Sequence, residues 1–209
     1  MLREFFIGKR PSHFHINPLV KAFIISECFL WSAWNFIIPI FAIFAVNNIS
    51  GGKIELAASA YSVHLVFRVI FELIFGRYLT KSSDSKMLRI AILGILTITL
   101  AYVGFIFTNT VPMFFFFYAV AGVGFGIVSP AKNTLFSTHL DKDKESMEWG
   151  LSDATAFIAI AMAAALGGFI AGQYGFRVLF VLSAIINTIS IVPYLLHLQQ
   201  IKENRSIAT

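Results

Sequence analysis

Charged residues are scarce in this chain of 209 residues, since Asp, Glu, Lys and Arg together make up 13% of the sequence. Soluble domains average about 25% charged residues. Here 57% of the residues are hydrophobic, and the mean hydropathy is +0.78. This composition excludes an ordinary soluble domain and predicts an integral membrane protein.

Cysteine is nearly absent, because the sequence contains only Cys28. A single cysteine inside an apolar run cannot form an intramolecular disulfide and has no metal-ligand companion. The sequence also lacks an HExxH metal pair, and His13 and His15 lie in the N-terminal segment. We therefore expect neither a metal nor another cofactor.

Six long apolar runs fill most of the sequence, and we number them spans 1 to 6 in chain order. Each run is long enough to cross a hydrocarbon core of about 30 Å as a helix. Strands of a membrane barrel would alternate apolar and polar residues, whereas these runs are continuously apolar. The predicted spans are residues 19–46, 56–76, 88–107, 112–138, 149–172 and 178–198.

The predicted fold is therefore an all-α integral membrane protein with six transmembrane helices, in which the second three spans repeat the scheme of the first three. The transmembrane domain covers residues 18–198. Residues 1–17 are expected to form a basic cytoplasmic segment, which either lies on the membrane surface or is a disordered tail. Residues 199–209 form a cytoplasmic tail.

Lys and Arg alternate between the two sides of the predicted spans. One side has twelve of them and the other has two, Lys53 and Arg177. The positive-inside bias then predicts that both termini lie on the cytoplasmic side. The membrane is expected to be a cell membrane. Nucleic-acid binding is not expected, because the positive charges are dispersed over four patches. The twelve are Arg3, Lys9, Arg10, Lys21, Arg77, Lys81, Lys86, Arg89, Lys142, Lys144, Lys202 and Arg205.

Ionisable residues are unevenly distributed among the spans. Spans 3 and 6 have none between residues 90–107 and 178–196, so these two spans can face lipid. A charge inside a membrane is costly unless it faces protein or water, so the other four spans are expected to share an interior. We predict a charge network for coupling or gating, with a static packing network as the alternative. Its members are Glu27, His64, Arg68, Glu72, Lys132 and Asp153.

Small residues form stripes on spans 4 and 5. On span 5 they recur every four residues over 159–171, with Gly168 and Gly172 beside them, and on span 4 Gly122 and Gly126 repeat the spacing. Such stripes allow helix backbones to approach closely. We expect packing within the chain, with an intersubunit contact as the alternative. Pro130 is expected to bend span 4.

Three local patterns resemble the major facilitator superfamily. Residues 76–81 resemble its glycine-led basic loop between helices two and three, although Thr80 replaces the acid of that pattern. Residues 121–130 resemble its glycine-rich helix four, with Tyr118 where proton-coupled members often have arginine. Residues 167–180 are similar to its external turn between helices five and six. The loop residues that carry the first likeness are Gly76, Arg77 and Lys81.

The resemblance implies one six-helix half of the twelve-helix transporter fold, with helices one and four lining a central cavity. It further implies a membrane transporter that moves a small molecule or ion by alternating access. Ordinary packing is the alternative for the aromatic residues among the implied substrate contacts. These contacts are Trp31, Trp34, Asn35, Tyr118 and Ser129.

A complete transporter of this kind needs two such halves. A homodimer would supply both, and a separate partner half would serve equally well. A scaffold or assembly protein and an inactive truncated remnant are the alternatives. An intramembrane protease is not expected, because Ser129 lies in a Gly-Ile-Val-Ser-Pro sequence and His197 lies at a membrane boundary.

Overall fold

The computed structural model describes residues 16–207, and this part of the chain is helical apart from short connections. An isolated parallel bridge joins Ser50 to Thr110. The helices are α1 (Pro18–Asn35), a 3₁₀ turn (Ile38–Ile40), α2 (Phe41–Asn48), α3 (Ile54–Tyr78), α4 (Asp84–Phe107), α5 (Val111–Thr138), α6 (Glu145–Tyr174), α7 (Phe176–Ile189) and α8 (Val192–Ile207).

Six stretches of the described residues are long and apolar enough to cross a membrane. Span 1 is Pro18–Asn48 and combines α1, the 3₁₀ turn and α2, whereas span 6 is Phe176–Ile201 and combines α7 with most of α8. Spans 2 to 5 are the single helices α3 to α6. The predicted all-helical fold with six spans is thereby confirmed.

Span 1 is interrupted near its middle, where the sequence pattern predicts one continuous helix. The α-helix ends at Asn35, and Pro39 lies within the 3₁₀ turn that follows. Proline has no backbone N–H and clashes with the preceding turn, so the regular α-helical pattern stops before it. The Asn35 side chain donates a hydrogen bond to the carbonyl of Trp31 at 2.9 Å.

Span 6 has a similar interruption between α7 and α8. Pro193 is the second residue of α8, and the Ser190 hydroxyl donates a 2.6 Å hydrogen bond to the carbonyl of Asn187 at the break. Beyond this point α8 continues to Ile207, so residues 199–207 of the predicted tail are helical. Span 4 differs, because α5 stays helical on both sides of Pro130.

The helix α5 packs mainly between two neighbours, with α3 on one side and α4 on the other. The helix α1 packs mainly against α6 and span 6, and α4 also packs against α7. Spans 2 and 5 therefore lie at two edges of the bundle. They are the least buried spans: in an apolar stretch of 18 residues, 11% of the residues are buried, against 44–50% in the other four spans.

Glycine permits the closest helix contacts. A Cβ atom on Gly122 would lie 2.2 Å from the backbone oxygen of His64, and one on Gly167 would lie 2.1 Å from that of Phe36. The expected packing of small residues within the chain is confirmed at these positions. Gly168 and Gly172 differ, because nothing lies within 4 Å of a Cβ atom built on either.

Spans 3 and 6 are joined by a buried polar contact. The Asn187 side-chain amide donates hydrogen bonds to the carbonyl of Ile95 at 2.9 Å and to the Thr99 hydroxyl at 2.8 Å. Both spans are as buried as span 1. The two spans therefore pack against each other on one side. On the other side they expose apolar side chains such as Leu100 and Ile185.

Replacing Gly122 with alanine should destabilise the bundle, because the added methyl group meets the α3 backbone. Overpacking of this kind typically costs about 1–3 kcal/mol. The matched change Gly168→Ala should be neutral or stabilising, because its Cβ enters open space and alanine favours a helix. Thermal unfolding in detergent, followed by tryptophan fluorescence, compares the two. Equal melting temperatures would contradict the close contact between Gly122 and the α3 backbone.

Candidate functional site

The most enclosed charge pair in the described residues joins spans 1 and 4. The Lys132 ammonium lies 2.5 Å from Glu27 Oε2, and both residues are 6% exposed. Trp31, one turn after Glu27, donates its indole N–H to the same oxygen at 2.8 Å. The ammonium also lies 5.4 Å from the centre of the Trp31 ring. Span 1 thus provides the anion and its neighbouring donor, and span 4 provides the cation.

Only one of the two oxygens of the Glu27 carboxylate has hydrogen-bond partners among the described residues. Its Oε1 atom is buried and has no hydrogen-bond partner among the described residues. A buried oxygen without a donor is costly, and such groups in native proteins usually have a functional or structural reason. This oxygen could accept a proton or a donor group without breaking the contact to Lys132.

A second charge pair lies within α3, on the side that packs against α5. Arg68 Nε lies 3.5 Å from Glu72 Oε2, with these side chains 30% and 40% exposed. Arg68 also donates to the Ser129 hydroxyl at 3.4 Å, and its guanidinium group lies 5.5 Å from the centre of the Phe125 ring. Because Ser129 precedes Lys132 by three residues, the two pairs approach neighbouring positions on α5.

His64 lies among aromatic rings although it shares a stripe with Arg68. Its buried imidazole stacks on Trp34 at 4.8 Å between ring centres and meets Phe125 edge-on at 5.6 Å. Tyr118 lies 6.2 Å away in a similar edge arrangement. These contacts join spans 1, 2 and 4 at a level further from the start of α1 than the charged pairs. The structure therefore places His64 in a packed aromatic cluster.

The predicted substrate contacts divide into two groups by burial. Trp34, Tyr118 and Ser129 are buried within the single chain, whereas Trp31 and Asn35 are partly exposed. Tyr118 also borders a cavity of about 260 Å³ between spans 1, 2 and 4.

Asp153 is not part of the shared interior that the sequence analysis predicts, because its side chain is exposed. The buried carboxylate of span 5 belongs to Glu148, which is 1% exposed and accepts a 2.9 Å hydrogen bond from the backbone N–H of Asp141. At 100° per residue Glu148 and Asp153 lie on opposite sides of the direction of the buried Ala163 and Gly167, so helical periodicity does not select Glu148 over Asp153.

The glycine-led loop joins α3 to α4. Gly76 and Arg77 lie in the last turns of α3, and Lys81 adopts a positive φ of 58° in the turn that follows. Thr80, at the place of the missing acid, donates its hydroxyl to the carbonyl of Gly76 at 3.2 Å. The loop is thus closed locally by a hydroxyl group.

The end of α5 is tied to the beginning of α4 near this loop. His139 Nε2 lies 3.1 Å from Asp84 Oδ2, and the other ring nitrogen of His139 lies 2.9 Å from the carbonyl of Leu135.

The family model of the Major Facilitator Superfamily matches residues 23–207. The chain belongs to the major facilitator superfamily. A search of curated protein sequences found no match. Among solved structures, the chain is similar to the in meso crystal structure of the POT family transporter PepTSo, with a TM-score of 0.71 and 14% sequence identity. That likeness concerns the fold.

The match to PepTSo covers 85% of this chain and 37% of that one, so this major facilitator chain spans little more than a third of the transporter's length. The predicted resemblance to one six-helix half of the superfamily fold is confirmed. In this fold the Glu27–Lys132 pair joins the first helix of one three-helix repeat to the first helix of the next.

Removing the Lys132 charge should strongly destabilise the protein. The change Lys132→Met leaves the Glu27 carboxylate buried without its cation, which typically costs about 3–5 kcal/mol. The double change Glu27→Gln with Lys132→Met should recover most of that loss. Denaturant unfolding in detergent measures both variants. The matched control is Asp153→Asn at an exposed carboxylate, which should stay within about 0.5 kcal/mol. A single variant no less stable than this control would contradict a tightly coupled pair.

Proposed function

We propose that the chain is a membrane transporter, not an enzyme, and that it moves a small molecule or ion by alternating access. The observation that carries this proposal is the buried Glu27–Lys132 pair between spans 1 and 4. Membership of the superfamily and the likeness to a transporter fold support it.

The Glu27–Lys132 pair is suited to coupling or gating because it holds together spans 1 and 4, which correspond to the helices that line the cavity in the major facilitator superfamily. Two opposite charges in a low-dielectric interior attract strongly, but each is costly once separated. A proton or solute group reaching Glu27 Oε1 would weaken the attraction to Lys132 and let spans 1 and 4 separate. Arg68, which pairs with Glu72 one turn further along α3, donates to Ser129 on α5 and gives a second, more exposed contact that would open and close.

The solute would contact the partly exposed side chains of span 1 first. Trp31 offers a ring face beside the charge pair, and Asn35 offers an amide oxygen one turn further along. The buried residues Trp34, Tyr118 and Ser129 would shape the wall behind them.

We propose that a second copy supplies the other half. Two copies facing each other across an axis along the membrane normal place span 2 of one beside span 5 of the other. Spans 2 and 5 are the least buried spans and carry many exposed apolar side chains. We further propose that both termini lie in the cytoplasm of a cell membrane, as the twelve-to-two distribution of basic residues predicts.

Alternating access predicts that Asn35 can be reached by water from one side at a time. A variant with Asn35→Cys and Cys28→Ser, in sealed vesicles, should react with a membrane-impermeant maleimide from one side. Adding Glu27→Gln should change the labelling ratio between the two sides severalfold, because the gating pair is weakened. The matched control Glu55→Gln, in the first turn of α3, should leave the ratio unchanged. Absence of labelling from either side would favour a non-transporting scaffold or an inactive remnant.

The proposed dimer brings together side chains of similar depth on spans 2 and 5. Trp149 packs against Phe136, and Phe157 lies eight residues, about 12 Å, further along α6. Arg68 packs against Gly126, which lies ten residues, about 15 Å, from Phe136 on α5. Phe157 and the Arg68 region therefore lie within about 3 Å of the same depth.

Cysteines at Val69 and Phe157 should cross-link two copies of the chain. Both positions are well exposed, at 57% and 66%. In a Cys28→Ser background, a short bismaleimide should convert the double-cysteine variant largely to a dimer on a denaturing gel. The control pair Val69→Cys with Leu100→Cys uses an equally exposed position on span 3 and should stay monomeric. Equal cross-linking of both pairs would contradict the proposed interface.

A further inference from the structure

Two grooves run along α1 and meet near its first residues. One lies between α1 and span 6 and has a volume of about 560 Å³, and the other lies between α1 and α6 and has about 550 Å³. Both are lined by Pro18, Lys21 and Ile25. Lys21 therefore stands at the junction of the two grooves.

The first groove changes from polar to apolar along its length. Lys21, His197 and Gln200 line the end at which α1 begins, and Ile25, Phe29 and Ile189 line the part further into the bundle. Eight residues separate Lys21 from Phe29, which corresponds to about 12 Å of helix. The groove thus offers a polar end and an apolar length, which is the pattern of an amphiphile.

The charge at the junction is uncompensated within the described residues. Lys21 is exposed, and no ion pair links it to any other residue that the structure describes. A basic side chain at the boundary of a transmembrane helix attracts anionic phospholipid headgroups. His197 and Gln200 add side chains that can donate hydrogen bonds at the same end.

We propose that these grooves bind one anionic phospholipid, with its phosphate at Lys21 and its two acyl chains in the two grooves. This site lies outside the charged core and does not depend on the transport proposal. The lipid covers apolar surface on α1, α6 and span 6, and its headgroup neutralises Lys21.

The charge of the groove favours a phospholipid over a protein helix. Its polar lining residues, Lys21, His197 and Gln200, lie at one end, and the remaining lining residues are apolar. A cationic end with an apolar length complements the phosphate and the acyl chains of one anionic lipid.

Native mass spectrometry of the full chain in detergent tests the proposal with two lipids that share acyl chains, phosphatidylglycerol and phosphatidylcholine. The wild-type chain should bind phosphatidylglycerol more tightly. Lys21→Gln should weaken phosphatidylglycerol binding about fivefold, as expected for one basic residue at a membrane surface, and leave phosphatidylcholine unchanged. Lys21→Arg should retain the preference.

A matched control is Lys53→Gln, which removes an exposed cation beyond the other end of span 1 and should change neither affinity. A second variant, Ile25→Trp, fills the shared part of the grooves and should weaken both lipids severalfold while the melting temperature is retained. Equal binding of the two lipids, or equal effects of Lys21→Gln and Lys53→Gln, would overturn the proposal.

Two further outcomes would point to another occupant. If millimolar inorganic phosphate displaced the lipid from the wild-type chain, the site would recognise a free anion and the acyl part of the proposal would be wrong. If Ile25→Trp changed the dimer fraction and left lipid binding intact, a second copy would be the occupant. Retained lipid binding in the presence of phosphate, with an unchanged dimer fraction, would support the phospholipid.

Discussion

The free-energy cost of charge in hydrocarbon constrains the interior of this bundle more than any other interaction. Glu27 and Lys132 can lie inside the spans because they neutralise each other at 2.5 Å and because Trp31 adds a donor. Their contact fixes how close span 1 must lie to span 4. The remaining spans pack around that crossing, with α3 and α4 on α5 and with α6 beside α1.

Close backbone contact supplies the second requirement, because helices in lipid gain little from the hydrophobic effect and associate through packing and hydrogen bonds. Gly122 lets the α3 backbone approach α5, and Gly94 and Gly124 do the same for α4 and α5. The Asn187 amide ties span 6 to span 3 with two hydrogen bonds. These contacts leave α5 almost enclosed, so a movement of span 4 must be shared by its neighbours.

Sequence periodicity predicts the six spans well, because each must satisfy its backbone within a helix and supply a long apolar run. It predicts the Arg68–Glu72 pair from a four-residue spacing on one helix. The predicted network offers Arg68 and Lys132 as cationic partners for Glu27, but the choice of Lys132 depends on how two helices pack whose paired residues are 105 positions apart. Asp153 shows the limit, because hydrophobicity marks it as intramembrane and only the packing of α6 shows that Glu148 takes the buried position.

Apolarity also fails to distinguish a surface for lipid from a surface for protein, since both are built from the same side chains. Spans 3 and 6, whose central parts have no ionisable residue, are 44% buried in their apolar stretches, whereas spans 2 and 5, which carry ionisable residues, are 11% buried. Spans 2 and 5 thus combine ionisable groups with the largest uncovered faces. Exposed carboxylates such as Asp153 on such a face would be costly against lipid tails and need water or protein beside them. In the proposed assembly, a cavity shared with a second six-helix half would provide both, and this would link the charge distribution of one chain to the assembly in which it works.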